Sequence, residues 1–275
     1  MSEERDLRLA VLIDADNAPR SALGDVMAEV AVYGTPTIKR IYGDWTTPNL
    51  ASWKPLLLEN AITPVQQYGY TTGKNSTDSA MIIDAMDILY TGQVDGFVLV
   101  SSDSDFTRLA IRLREAGKKV YGMGEKKTPN PFIVACDKFV YIEVIRSAAQ
   151  QERAEEAARE EPKEPPKPAR RAARKKGAEA APAPAPEAEP PSRVPKEIIT
   201  LLADSVEMLA DEDGYAPLGE VANLLVRKKR VFDPRNFGFS KVSKLVKALP
   251  RFEVDVRQGG QSNMKHFFVR DKERK

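Results

Sequence analysis

The 275-residue chain has one cysteine and one histidine. A single cysteine excludes an intrachain disulfide and a zinc finger. Cys136 lies in the apolar run "PFIVAC" and reads as a buried thiol rather than a reactive one. His266 sits in the tail, remote in sequence from any carboxylate cluster, which disfavours Ser-His-Asp and Cys-His mechanisms. Long apolar runs are also missing. None approaches the roughly 18 residues of a membrane span, and "MSEERDLR" lacks the apolar core of a signal peptide. The expectation is a cytoplasmic protein without a membrane partner. Net charge is small, 42 basic against 40 acidic residues, and names no partner. By segment, residues 1–147 carry roughly 16 basic and 19 acidic side chains, and residues 193–275 about 17 and 12. Chemistry in this chain falls to carboxylates, lysine or a bound metal.

Residues 148–195 hold no aromatic side chain and almost nothing large and apolar. Such a segment cannot offset the entropy of ordering, so a disordered charged and Pro-Ala linker is expected. Its start, Gln150 to Glu160, is compatible with an extension of the preceding element as a helix. The basic block "ARRAARKK", Ala169 to Lys176, suits either plain solvation or auxiliary phosphate contact.

Before the linker, β-rich runs alternate with helical patterns. "LRLAVLID", "TIKRIYG", "ITPVQQY", "GFVLVSSD", "KKVYGMG" and "KFVYIEV" read as six strands. "SALGDVMAEVAVYG", Pro48 to Glu59, "STDSAMIIDAMDILYTG" and "SDFTRLAIRLREAG" read as helices. This alternation predicts a three-layer α/β/α architecture around a parallel sheet, with ligands beyond the carboxyl ends of its strands. After the linker, three helical patterns ("PKEIITLLADSVEMLA", "PLGEVANLLVRKK", "SKVSKLVKAL") precede two short strands flanking "QGGQSN". That order describes a small α+β winged helix-turn-helix.

Asp14 and Asp16 close the first strand in "VLIDADNAP", and Asp103 and Asp105 close the fourth in "VLVSSDSDF". If those strands are neighbours, the acids share one rim. Asp78 opens the helix between them. Asp84, six residues on, is turned about 600° from it and faces elsewhere. Taken singly, each acid has a plain alternative: Asp78 and Asp105 complement a helix dipole, and Asp14 forms a turn. Together they would repel unless their pKa values rise or a cation neutralises them. All-oxygen ligation suits Mg²⁺ or Mn²⁺.

In order, "IDADN", "KNSTDSAMIIDA" and "VSSDSDF" resemble the NYN domain, the PIN-like nuclease fold of the LabA-like group, over about residues 7–147. The resemblance implies a metal-dependent ribonuclease. It places Asp14, Asp78, Asp103 and Asp105 at the catalytic metal site, Asn17 beside substrate or metal-bound water, and Asp84 in outer support. Ser102 stands where that family often has glycine, and is assigned with Asn17 to substrate contact. Lys74 is close enough in sequence to Asp78 to reach substrate phosphate, against the plainer reading of a solvated loop lysine. Ser101, Ser102 and Ser104 suit hydrogen bonds to neighbouring carboxylates or a cap on the next helix, and Ser104 is expected to be that cap. Some PIN-like nucleases pair, so a homodimer is an open expectation.

The tail, through "GYAPLGEVANLL" and "FDPRNFGFSKVSKLVKAL", resembles the LOTUS or OST-HTH domain. That family binds RNA, and some members bind protein partners. Arg235, Lys241 and Lys244 are the candidate RNA contacts. Phe237 and Phe239 suit base stacking or core packing, and Gly238 suits a tight turn. The resulting division is a nuclease domain at 1–147, the linker at 148–195 and an RNA-binding domain at 196–272.

The reading is a ribonuclease whose tail domain tethers RNA. Two rivals stay open. One is a catalytically inactive RNA-binding adaptor. The other is a haloacid-dehalogenase-like phosphatase, in which Asp14 attacks phosphate and Asp16 donates the proton.

Overall fold

In the computed structural model the described residues are 6–68, 76–160, 194–258 and 265–274. Lys74, the basic block 169–176, most of the expected linker and most of "QGGQSN" lie outside them.

Six strands form one parallel sheet: β1 (Arg8–Asp14), β2 (Thr35–Gly43), β3 (Thr63–Gln66), β4 (Gly96–Val100), β5 (Lys119–Gly124) and β6 (Lys138–Tyr141). Their order is β3-β2-β1-β4-β5-β6. The chain winds outward one way from β1 and then the other way from β4. The crevice between those two strands is the topological switch point.

Strand alternation divides β1 between two cores. Ala10 and Leu12 join Tyr42, Phe97, Leu99 and Val120 on one face. Leu9, Val11 and Ile13 join Ile41, Val98, Val100 and Met123 on the other. The second face is covered by α1 (Leu23–Tyr33), α2 (Lys54–Glu59) and the start of α6 (Ile142–Glu160). The first is covered by α3 (Ser76–Thr91), α4 (Thr107–Glu115) and α5 (Asn130–Ala135). Strands buried on both faces explain why the sequence shows near-continuous apolar runs rather than alternation.

Several boundaries differ from the sequence reading. Strand β4 ends at Val100 rather than at Asp103, because Ser101 makes one more sheet bond to Met123 (3.0 Å) and the backbone then turns. Strand β6 ends at Tyr141, and Ile142 opens α6. Ile142 and Ile145, one helical turn apart, both enter the second core. The six-residue helix α5 was not anticipated. It is too short to show a period, yet it buries Phe132 and Ile133 beside Cys136. Cys136 is buried, its thiol pushed up to about 12 mainly by desolvation, as expected for a structural cysteine.

The C-terminal unit contains α7 (Lys196–Leu209), β7 (Tyr215–Pro217), α8 (Leu218–Lys228), α9 (Val242–Ala248), β8 (Phe252–Gln258) and β9 (Lys265–Asp271). The three strands pair antiparallel in the order β7-β9-β8. Strand β7, three residues long, was not expected. It completes the sheet and closes a core of Ile198, Leu202, Val221, Leu225, Leu245 and Val269. Phe237 and Phe239 pack against that core. Gly238 has φ +81°, ending a short 3-10 turn in a conformation that favours glycine.

The two units touch along the edge of the parallel sheet. The amide of Phe139, on edge strand β6, donates to the Arg230 carbonyl at 3.0 Å. The Arg230 guanidinium donates to the Asp137 carbonyl at 3.0 Å. Val231 packs against the first core. An exposed strand edge is a template for unwanted pairing, and here the tail unit covers part of it.

Candidate metal centre

Parity places the first acid. Asp14 follows Ala10 and Leu12 by twos, so it projects to the face covered by α3. Ser101 follows Leu99 by two on the neighbouring strand and projects the same way. The Ser101 hydroxyl donates to Asp14 Oδ2 at 2.8 Å. Asn17 donates its side-chain amide to the same oxygen at 2.8 Å. Asp14 Oδ1 accepts the amides of Asp16 (3.0 Å) and Asn17 (3.3 Å). Asp14 is therefore a buried carboxylate with both oxygens hydrogen-bonded. Burial pushes its pKa up, and the bonds from Asn17, Ser101 and the Asp16 amide oppose that shift.

Asp78 comes from the first turn of α3, whose Met81, Ala85 and Ile88 face the first core. A position three residues before Met81 lies on that same stripe, so Asp78 is aimed at the sheet rim and is buried. Asp103 follows β4 with extended backbone and accepts the Asp105 amide at 2.9 Å, capping a 3-10 turn that leads into α4. The cap is Asp103 rather than Ser104. A carboxylate two residues upstream satisfies the orphan amide, and Ser104 lies inside the turn. Asp103 is half-buried and Asp105 exposed.

Carboxylate oxygens of Asp78, Asp103 and Asp105 lie within 4.8 Å of one another. Oxygens around one octahedral Mg²⁺ stand about 3–4 Å apart, given bonds of about 2.1 Å. The set fits a hard cation after small side-chain rotations. Asp14 stands outside that trio but acts on it. The Asp78 pKa is pushed up to about 6, first by burial, then by the charges of Asp14, Asp103, Asp105 and Asp16. A carboxyl raised this way by its neighbours marks a place where positive charge is favoured.

The remaining sequence candidates fall elsewhere. Asp84 accepts from Arg40 and from the Tyr42 hydroxyl, both on β2, so it ties α3 to the sheet. Asp16 is exposed. Ser102 is buried, and its oxygen accepts the Glu125 amide at 2.9 Å, joining the loops after β4 and β5. The sequence offered Ser101, Ser102 and Ser104 alike as partners for neighbouring carboxylates, and Ser101 is the one that meets Asp14. Counting parity from Leu99 would have found it. Gly124, at the end of β5, faces this loop: a Cβ there would meet the Ser101 carbonyl oxygen at 2.5 Å.

In the tail unit, Lys241 and Lys244 are exposed at the start of α9. Arg235 is not directed to solvent. Its guanidinium makes two bonds to Glu29 on α1 (2.7 and 2.8 Å) and further bonds to Asp233 (2.7 and 3.0 Å). Both carboxyls are held below their ordinary range by Arg235 despite burial.

The model of the NYN domain matches residues 8–143, and that of the OST-HTH/LOTUS domain matches residues 189–264. The chain joins an NYN domain to a LOTUS domain. The acid trio belongs to the NYN domain, at the β1/β4 switch point of a PIN-like sheet. The Arg235 clamp joins the two domains. A protein of unknown function from Vibrio parahaemolyticus is 22% identical, with a TM-score of 0.43, over 52% of this chain and 96% of its own. An uncharacterised protein of Nitrosomonas europaea is 29% identical over 36% of this chain and 92% of its own, with a TM-score of 0.28. A Chromobacterium violaceum fragment is 27% identical over 30% and 87%, with a TM-score of 0.24. No curated protein matches the chain. Among the described residues no helix is long and apolar enough to cross a membrane.

Proposed function

We propose that the chain is a metal-dependent ribonuclease that hydrolyses RNA phosphodiester bonds, with the LOTUS domain holding substrate. The observation that carries this reading is the convergence of Asp78, Asp103 and Asp105 within 4.8 Å at the switch point, with Asp14 behind them. Asp78, Asp103 and Asp105 would hold Mg²⁺ or Mn²⁺ directly, and Asp14 would serve as the fourth carboxylate of the site. A divalent ion bound there supplies positive charge for the phosphate oxygens and lowers the pKa of water. The chain's own residues do the rest. Ser101 and Asn17 fix both oxygens of Asp14, so the carboxylate is oriented before substrate arrives. The Asp103 cap sets the 3-10 turn that carries Asp105. Asp84, through Arg40 and Tyr42, holds α3 and with it Asp78. Lys74 is proposed to meet substrate phosphate, and Lys241 and Lys244 to contact RNA from the LOTUS side. In the proposed division, residues 1–147 carry the chemistry and 196–272 the tether.

The phosphatase reading leaves Asp78 without a part and needs the exposed Asp16 as proton donor, so the acid geometry favours the nuclease. The test is incubation of single-stranded RNA with the full-length protein and Mn²⁺ or Mg²⁺, with Asp103→Asn alongside. Cleavage that needs the metal and disappears in the variant is expected. Binding without cleavage under every metal tried would make the chain an adaptor.

A further inference from the structure

A groove of about 590 Å³ runs between the two domains. Lys126, Tyr141 and Glu143 line it from the NYN side, and Lys229, Arg235 and Phe237 from the LOTUS side. The walls are held together. Arg235 grips Glu29, Arg230 is bonded to Asp137, and the Phe139 amide meets the Arg230 carbonyl. The groove therefore exists only when both domains are docked.

Its position relates it to the acids. Lys126 lies just past β5, Tyr141 ends β6, and Glu143 is in the first turn of α6. These are carboxyl ends of strands, the same rim that carries Asp14 and Asp103. A short series of contacts connects the two places. Ser102, next to Asp103, accepts the Glu125 amide, and the Lys126 amide donates to Glu143 at 3.0 Å.

The lining favours one ligand chemistry. Lys126 is exposed, and Lys229 meets the exposed Glu197 at a long 3.9 Å. Two cations at an open cleft suit backbone phosphates, while Tyr141 and Phe237 offer aromatic surface for an unpaired base. Glu143, the acid of the lining, accepts the Lys126 amide. The volume falls in the range of about 300–1,000 Å³ typical of small-ligand clefts, enough for a nucleotide with the strand continuing out of the open ends.

We propose that the interdomain groove is a subsite for single-stranded RNA, Lys126 and Lys229 taking phosphates and Tyr141 and Phe237 flanking a base, on a path leading to the acid trio. This rests on the ribonuclease reading, but it concerns binding and is measured without cleavage. The experiment is fluorescence anisotropy of a labelled 12-nucleotide single-stranded RNA with the full-length protein in EDTA, across a salt series. Lys126→Glu and Lys229→Glu are compared with Lys54→Glu, an equal charge change at an exposed residue of α2 that does not line the groove. Each groove variant should bind at least fivefold more weakly and flatten the salt slope by about one, and the control should stay within twofold. Equal effects in all three variants, or no RNA binding by the parent chain, would overturn the subsite. Intact metal-dependent cleavage alongside unaffected binding would sink the groove and leave the nuclease standing. Weakened binding with no cleavage under any metal would do the reverse.

Discussion

Ser101 donates its hydroxyl to Asp14 at 2.8 Å and accepts the Asp103 amide at 3.0 Å. One small side chain thus couples the carboxyl end of β1 to the turn after β4. The acids on both strands take their positions from it.

Replacing Ser101 with alanine should therefore act on stability and on rate together. Hydrogen bonds to charged groups contribute about 1.5–3 kcal/mol, and the donor lost here is buried. Urea unfolding should show a decrease of about that size. Metal-dependent cleavage should fall roughly tenfold, since misplacing catalytic groups by a fraction of an ångström is costly. A variant with normal turnover and reduced stability would make Ser101 a packing residue only.

Asp78→Asn should separate function from stability. In the metal-free protein the Asp78 charge is buried among like charges, which is why its pKa stands near 6. Removing that charge should raise the melting temperature without metal by a few degrees. It should also abolish cleavage and the stabilisation that added Mn²⁺ gives the parent chain. A lower melting temperature in the metal-free variant would contradict the crowding of charge inferred from the geometry.

The Glu29–Arg235–Asp233 clamp predicts an acid limit to domain docking. In the folded chain both carboxyls titrate below their ordinary values of 4.5 and 3.8. A lowered acid pKa means that the folded state binds protons less readily than the unfolded state. The contribution is complete above the ordinary values and fades as the pH falls through the folded ones. Between pH 6 and pH 3 the parent chain should lose more stability than Glu29→Gln, which is already without one partner. Arg235→Gln leaves two buried acids facing each other and should cost about 3–5 kcal/mol at neutral pH. Limited proteolysis between the domains reports the loosening. Parallel pH profiles for parent and Glu29→Gln would remove the clamp from consideration.

Gly124→Ala tests how closely β5 must approach the site. The new Cβ would lie 2.5 Å from the Ser101 carbonyl oxygen and 2.7 Å from Thr128 Oγ1. Backbone cannot yield as a flexible side chain does, so an overpacking cost of about 1–3 kcal/mol is expected. Cleavage should decline with it, since the displaced atom belongs to Ser101. A thermal melt equal to that of the parent chain would show that the β4 end is more pliable than this packing implies.

Much of this architecture was legible in the residues. Apolar runs separated by Gly34, Gly92 and Gly117 give the βα alternation, and the three acid-bearing motifs give the candidate site. Residues 130–135 hid a helix because six residues carry no measurable period. Residues 142–144 read as strand because "FVYIEV" is β-rich, yet Ile142 and Ile145 fit the second core only at helical spacing. Ser101 could not be told from Ser102 and Ser104 as a carboxylate partner because "SSDSD" presents three serines, and only the position of β1 next to β4 distinguishes them. Arg235 looked like an RNA contact because nothing local in "FDPRNF" announces Glu29, 206 residues away.

By itself the sequence determined the two folds and the supply of chemistry: alternating hydrophobic periods choose a covered parallel sheet, and one histidine with one cysteine leaves carboxylates to do the work. Only the tertiary structure decided which carboxylates share a volume, which serine holds them, and that an arginine of one domain is spent on a glutamate of the other. Periodicity is a local property that a chain carries along its length. Distances between residues far apart in sequence depend on how strands order and how domains dock, and those follow from packing the whole molecule at once.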